Sequence, residues 1–153
     1  MRLDTTAHEH LAKDDVLLDY AAASKMQVLQ GLSRMAANRL NLKPVPIATA
    51  LLKREQLGST GVGGGVALPH AGVAGLDRPC GILARLKNPI DFDAVDGNPV
   101  DIVFLLLVPP ASSTDQLAAL ACVARVLKDP QIQAQLRTAA RIDVMYRAVT
   151  SRP

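Results

Sequence analysis

A nearly continuous run of apolar residues from Val100 to Val108 limits the fold of this chain more than any other feature. The run is far too short to cross a bilayer. An apolar strand without polar alternation is typical of a strand that is buried on both faces. The sheet that contains it therefore needs a covering layer on each side.

Amphipathic helices are predicted on both sides of this strand in the sequence. Ser24 and Gln27 match a capping box, and apolar residues follow at helical spacing to about Arg39. A second helix is expected to begin near Pro46 and to stop at Gly58. Three more helices are predicted after the apolar run, beginning at Ser113, at Pro130 and around Asp143.

Further strands are predicted at 16–18, 66–68 and 81–86, with a turn at 88–89 and a short edge strand at 90–92. Those between Gly65 and Val108 follow one another through short connections, so some of them run antiparallel. The predicted fold class is therefore α/β, a mixed β-sheet sandwiched between helices on both faces. We expect one domain over 1–153, with 1–14 loosely ordered.

Composition excludes several functional classes. The chain has 153 residues, of which 49% are hydrophobic and 20% charged, as in globular domains. The net charge of +3 is spread along the chain and aromatic residues make up 3%, so no nucleic-acid partner is expected. The N-terminus has no apolar signal segment, and no membrane span is predicted. We expect a cytoplasmic protein.

A glycine-rich segment ends in a histidine at Gly61–His70. Glycines let backbone N–H groups approach an anion closely, and Pro69 stiffens the chain just before His70. Neutral imidazole is a nucleophile near pH 7, which suits reversible phosphoryl transfer. Arg54, just before the glycines, is the natural cation for the phosphoryl oxygens.

These features are weak when taken singly. A lone histidine is usually structural, and a glycine-rich segment is often only a turn. The dinucleotide-binding fingerprint is not matched, because it requires a strand before the glycines and a helix after them. His8 and His10 are expected to be exposed, and the aspartates at 91, 93 and 96 fit turn chemistry, so neither a metal nor a cofactor is expected.

The segment 51–71, LLKREQLGSTGVGGGVALPHA, closely resembles the signature of IIA proteins of the bacterial phosphotransferase system. The resemblance is to the fructose/mannitol/nitrogen-regulatory branch, and it is strongest to the nitrogen-regulatory IIA proteins. It extends weakly over most of the chain, through 17–19, 89–92 and 100–109.

The resemblance implies a mixed sheet flanked by helices, in agreement with the patterns above. It implies that His70 accepts a phosphoryl group from a phosphohistidine on an HPr-type phosphocarrier, and that Arg54 lies beside His70. Ser59 and Thr60 would lie near the site as phosphoryl-stabilising groups. The protein that next receives the phosphoryl group from His70 would be a regulated protein or a IIB component, neither of which the sequence identifies.

Gln116 departs from the family pattern, because the family usually has a second histidine at this position, facing the first. The Gln116 amide could donate a hydrogen bond to a phosphoryl oxygen, although it cannot carry a proton. Alternatively, it is only the capping-box partner of Ser113.

Three functions remain open on the sequence. The first is a regulatory phosphoryl carrier whose phosphorylation on His70 switches partner binding. It would act as a stoichiometric phosphotransferase component. The second is a sugar-specific IIA component that passes phosphate to a IIB cysteine. The third is an adaptor that binds partners without being phosphorylated, for which Gln116 is the hint.

Overall fold

The computed structural model describes residues 10–110 and 113–151, with the backbone alone at 113–116. No helix in this part of the chain is both long enough and apolar enough to span a membrane. In chain order the elements are β1 (Leu11–Tyr20), α1 (Lys25–Leu40), α2 (Pro44–Gln56), β2 (Gly61–Gly63), β3 (Val66–Ala67), β4 (His70–Gly72), β5 (Cys80–Ile90), β6 (Val100–Val108), α3 (Ser113–Leu127), α4 (Pro130–Thr138) and α5 (Ile142–Thr150).

The strands form one mixed sheet in the order β1–β5–β6–β3–β2, and β4 also pairs with β6. β1 runs parallel to β5, which runs antiparallel to β6. β3 and β4 run parallel to β6, whereas β2 and β3 form an antiparallel hairpin. The predicted mixture of strand directions is confirmed.

β6 is the interior strand that its apolar sequence predicts. Successive side chains alternate between the two sides of the sheet. Val103 and Leu105 pack with α1 and α2, and Phe104 and Leu106 pack with α3, α4 and α5. All four side chains are buried. The sheet is therefore covered by helices on both faces, as predicted.

The helix starts follow the capping signals in the sequence. The Ser24 hydroxyl accepts the N–H of Gln27 at 3.1 Å, and Gln27 Oε1 accepts the N–H of Ala23 at 2.8 Å. The reciprocal bond of the capping box thus reaches one residue further back than the motif predicts. α2 begins at Pro44 rather than near Pro46, and both prolines lie in its first turn, where N–H groups lack intrahelical acceptors.

The N-terminal segment is more ordered than the sequence predicts. β1 begins at Leu11, so 11–14 belong to a strand, and the predicted loose order there is wrong. His10 is 8% exposed, against the expectation of an exposed histidine, because its carbonyl accepts the N–H of Gly81 at 2.5 Å and draws it onto the sheet. His8 and the other residues of 1–9 lie outside the described part.

The predicted turn at 88–89 is also wrong. β5 continues through Pro89 to Ile90, which pairs with Val100. The register shifts between Arg85 and Ile90, and such an irregularity tolerates a proline that cannot donate to the ladder. The short strand expected at 90–92 does not form as a separate element.

Candidate functional site

His70 is the first residue of β4, and two residues separate it from the end of β3. β3 and β4 keep the same register on β6, with Val66 opposite Ile102 and His70 opposite Leu106. Pro69 interrupts them because it has no N–H, but its carbonyl still accepts the N–H of Leu106 at 2.9 Å. The break at Pro69 therefore leaves His70 held in the ladder.

His70 lies at a margin of the sheet. β4 pairs with β6 on one side, and among the described strands none pairs with its other side. The hairpin formed by β2 and β3 reaches only Ala67. The imidazole is consequently half-buried: its backbone is fixed by β6, while part of the side chain faces solvent.

The two ring nitrogens of His70 have different partners. Nδ1 lies 2.8 Å from the carbonyl oxygen of Leu68. A carbonyl oxygen only accepts hydrogen bonds, so Nδ1 carries the proton and donates. Nε2 then has a free lone pair, and it accepts the Nε–H of Arg54 at 3.3 Å. This is the neutral tautomer in which Nε2 is the nucleophilic atom.

Arg54 reaches the histidine from the last turn of α2. Its Nη1 donates to the carbonyl of Gly58 at 2.9 Å, and its Nε points at His70. The guanidinium is thus anchored on one edge while it approaches the imidazole. The structure brings together the two residues that the sequence singled out first.

The environment of His70 favours the neutral ring. Burial lowers the pKa of His70 below its ordinary value of 6.5, and the positive charge of Arg54 acts in the same direction. The hydrogen bond to Leu68 and the negative charge of Glu55 oppose this shift without reversing it. The imidazole is therefore unprotonated at neutral pH, as a nucleophile requires.

The glycine-rich segment forms the tight turn of the hairpin between β2 and β3. Gly63, Gly64 and Gly65 all have positive φ, which side chains with a Cβ rarely adopt. The N–H of Gly64 donates to Asp96 at 3.0 Å, and its carbonyl accepts from Arg137 at 2.6 Å. The Gly64 amide is thus engaged by a neighbouring loop instead of pointing at His70, which differs from the anion cradle expected from the sequence.

The hydroxyl groups of Ser59 and Thr60 also bond within the scaffold. Ser59 donates to the carbonyl of Phe92 at 2.5 Å and accepts the N–H of Gly61 at 3.0 Å. Thr60 donates to Glu55 at 2.7 Å. In this structure the bonds of both hydroxyls shape the loop before β2 and do not reach His70, so their role as phosphoryl-stabilising groups stays a prediction.

Sequence analysis missed two residues at this site, Lys25 and Glu55. The Glu55 side chain is 6% exposed and accepts both the N–H and the hydroxyl of Thr60, at 2.9 and 2.7 Å. Lys25 forms an ion pair with it at 2.8 Å. The position of Glu55 next to Arg54 was a usable signal, whereas nothing local marks Lys25, which is thirty residues away along the chain.

Gln116 lies in the first turn of α3. Its side chain is outside the described part of the structure. The two alternatives for it, phosphoryl donor and helix cap, therefore stay predictions.

Known proteins resemble this chain along nearly its whole length. The family model for "Phosphoenolpyruvate-dependent sugar phosphotransferase system, EIIA 2" matches residues 9–151. A nitrogen regulatory protein from Bradyrhizobium diazoefficiens is 41% identical over 143 residues, covering 94% of this chain and 94% of that protein.

Solved structures agree with these sequence matches. The crystal structure of the nitrogen regulatory protein IIA-Ntr from Neisseria meningitidis has a TM-score of 0.87 and 32% identity, covering 93% of this chain and 97% of that one. IIA mannitol from Escherichia coli shares the fold, with a TM-score of 0.76 at 17% identity, covering 91% and 98%. The chain therefore belongs to the EIIA 2 family of the phosphoenolpyruvate-dependent sugar phosphotransferase system.

Proposed function

We propose that this protein is a regulatory phosphoryl carrier that accepts a phosphoryl group on Nε2 of His70 from an HPr-type phosphocarrier. The observation that carries the proposal is the pair of contacts on the imidazole: the Leu68 carbonyl lies 2.8 Å from Nδ1, and Nε of Arg54 lies 3.3 Å from Nε2. These contacts favour the tautomer with the proton on Nδ1. The neutral ring and the adjacent cation are what an incoming phosphoryl group requires.

The transfer exchanges one nitrogen–phosphorus bond for another. Nε2 attacks the phosphorus of the donor's phosphohistidine, the donor's N–P bond breaks, and a new N–P bond forms on His70. The proton of Nδ1 stays in place, and the Leu68 carbonyl stabilises the positive charge that the ring acquires. Arg54 exchanges its contact with Nε2 for contacts with the phosphoryl oxygens, which its planar group is suited to make.

The regulatory role is favoured over a sugar-specific one by the relatives, since proteins with 41% and 32% identity carry nitrogen-regulatory names. A phosphoryl group brings nearly two negative charges to the surface around His70, and this would switch which proteins bind there. In this proposal the whole chain acts as one domain in the cytoplasm, and it works stoichiometrically. The Gln116 amide adds a donor to the phosphoryl oxygens.

The test is intact-mass spectrometry before and after incubation with enzyme I, an HPr-type carrier and phosphoenolpyruvate. The protein should gain the mass of one phosphoryl group, and the modification should be lost in acid. His70→Gln should gain nothing. Equal labelling of His70→Gln would contradict the proposal, and an unlabelled wild-type protein would favour a phosphorylation-independent adaptor.

A second experiment distinguishes the two carrier roles. The phosphorylated protein is mixed with a IIB component, and the loss of its phosphoryl group is followed. Under the regulatory proposal the group persists, and binding to other proteins differs between the two states. Rapid transfer to a IIB cysteine, coupled to sugar uptake, would instead favour a sugar-specific component.

A further inference from the structure

One nitrogen of the His70 imidazole is linked to the buried carboxylate of Glu55 through a chain of hydrogen bonds, and the other contacts the residue next to Glu55 in sequence. On one side, the N–H of Thr60 donates to Glu55, the Thr60 carbonyl accepts the N–H of Leu68 at 2.9 Å, and the Leu68 carbonyl accepts Nδ1–H. On the other side, Nε2 accepts from Arg54, the residue before Glu55 in α2. Glu55 thus holds the segment around Thr60 to which Leu68, and through it the imidazole, is hydrogen-bonded.

Lys25, at the start of α1, forms an ion pair with the carboxylate of Glu55. Its ammonium group lies 2.8 Å from Glu55 and 3.2 Å from Asp93, and 5.1 Å from the centre of the Phe92 ring. The Phe92 carbonyl is the acceptor of the Ser59 hydroxyl. The hydroxyls of Ser59 and Thr60, just before β2, therefore bond to two of the three residues that Lys25 contacts, Phe92 and Glu55.

The charges in this arrangement are balanced. Glu55 is almost fully buried, and a buried carboxylate needs a compensating charge. The Lys25 side chain is 20% exposed. Burial acts to lower the pKa of Lys25, but the bonds and charges of Glu55 and Asp93 outweigh it and raise that pKa, so the ammonium stays charged.

Glu55 is also near enough to influence the imidazole. Its negative charge is one of the causes that raise the pKa of His70, against burial and Arg54, which lower it. Without Lys25, the full charge of Glu55 would act on the ring. Protonation of Nε2 would then compete with its attack on phosphorus.

We propose that Lys25 and Glu55 are positioning residues for phosphoryl acceptance. Lys25 neutralises and orients Glu55. Glu55 holds Thr60 and the end of α2, and through Leu68 and Arg54 these orient the two nitrogens of His70. This inference rests on the proposed function, because it concerns how the same histidine is prepared. Neither residue touches the reacting atoms.

The test compares Lys25→Met, Lys25→Arg and the double variant Lys25→Met/Glu55→Gln with the wild type. Lys43→Met is the matched control, because Lys43 is exposed and makes no side-chain capping bond at the start of α2. Two experiments are carried out on each protein. NMR titration gives the pKa and the tautomer of His70, whose signal is identified by its loss in His70→Gln. Rapid-quench labelling with a phosphorylated HPr-type donor gives the maximal rate and the half-saturating donor concentration.

Lys25→Met should raise the pKa of His70 and reduce the population with the proton on Nδ1. The maximal rate should fall on the order of tenfold, with the half-saturating donor concentration unchanged, because the defect is in alignment and not in docking. Lys25→Arg should restore most of the rate. The double variant should return the pKa towards that of the wild type, because the charge that raises it is gone.

A purely structural role predicts otherwise, since the double variant would then be at least as perturbed as the single one. The inference is overturned if Lys25→Met matches Lys43→Met in pKa, tautomer and rate while the wild type is labelled on His70. If Lys25→Met does not fold, the double variant, which buries no unpaired charge, is compared with the wild type in rate instead. Its maximal rate should fall although its pKa stays near that of the wild type, and a rate equal to that of Lys43→Met would overturn the inference. An unlabelled wild type would refute the proposed function instead, and the titration would still test the positioning.

Discussion

The carbonyl oxygen of Leu68 lies 2.8 Å from Nδ1 of His70, two residues further along the chain. This short-range bond selects the tautomer and leaves Nε2 with its lone pair beside Arg54. Pro69 lies between the two residues of this bond, at the interruption between β3 and β4 along β6. A backbone group within the local sequence Leu-Pro-His thus orients the ring and leaves Nε2 as the nucleophile.

Phosphoryl acceptance should be insensitive to pH near neutrality. The pKa of His70 is lowered by burial, so the ring is neutral at pH 7 and stays neutral down to its ordinary value of 6.5. The rate should therefore fall only at lower pH, as Nε2 takes up a proton. NMR titration of the imidazole measures this without a donor, and a midpoint above 6.5 would contradict the prediction.

Replacing Arg54 should damage the chemical step and shift this titration. Arg54→Met removes the cation beside Nε2, so the maximal labelling rate should fall on the order of a hundredfold. The pKa of His70 should rise, since the charge of Arg54 lowers it. Arg54→Lys should recover little, because an ammonium group cannot contact Gly58 and His70 at once as the guanidinium does.

The control for the two Arg54 variants is Arg34→Met. Arg34 is exposed on α1 and belongs to none of the contacts around His70. Equal rates and equal titration midpoints for Arg34→Met and Arg54→Met would refute the assigned role of Arg54.

Arg85 should matter for stability and not for phosphoryl transfer. Its Nη1 donates to the carbonyls of Leu136 and Ala139, at 3.0 and 2.6 Å, and so satisfies the end of α4. Arg85→Met leaves these part-buried acceptors unpaired and should lower the free energy of unfolding by about 2 kcal/mol in urea titrations. The exposed Arg125→Met serves as control, and an equal loss in both variants would contradict the explanation.

Replacement by alanine should destabilise the protein more at Gly65 than at Gly97, although the two glycines have similar backbone angles. Gly65 and Gly97 have φ of 78° and 75°, so an added Cβ strains both by about 1 kcal/mol. At Gly97 nothing lies within 4 Å of that Cβ, whereas at Gly65 it would meet the Arg137 guanidinium that binds Asp101. Gly65→Ala should therefore cost about 2 kcal/mol in all, about twice the cost of Gly97→Ala. Equal midpoints of urea unfolding would contradict this.

Much of the fold could be predicted because its signals are local. The apolar sequence of β6 required cover on both faces, and Ser24 and Pro130 marked two helix starts. The turn expected at 88–89 was wrong because tertiary pairing of Ile90 with Val100 overrides the local preference of proline. The strand at 11–14 was missed for the same reason, since its polar residues gain order from β5.

The candidate site divides in the same way. His70 and Arg54 could be identified because the segment that carries them is contiguous and characteristic of a family. The contacts that prepare them could not. Lys25 meets Glu55 only because α1 and α2 pack together on one face of the sheet. The Leu68 bond lies at an interruption in the pairing with β6 that no spacing rule reveals.

The most direct test of the account is to locate the phosphorus on the phosphorylated protein. After incubation with enzyme I, an HPr-type carrier and phosphoenolpyruvate, ¹⁵N–³¹P coupling identifies the bonded nitrogen of ¹⁵N-labelled histidine. The account predicts one phosphoryl group on Nε2 of His70, with the proton retained on Nδ1. Phosphorylation on Nδ1 of His70, or on any other residue, would contradict it.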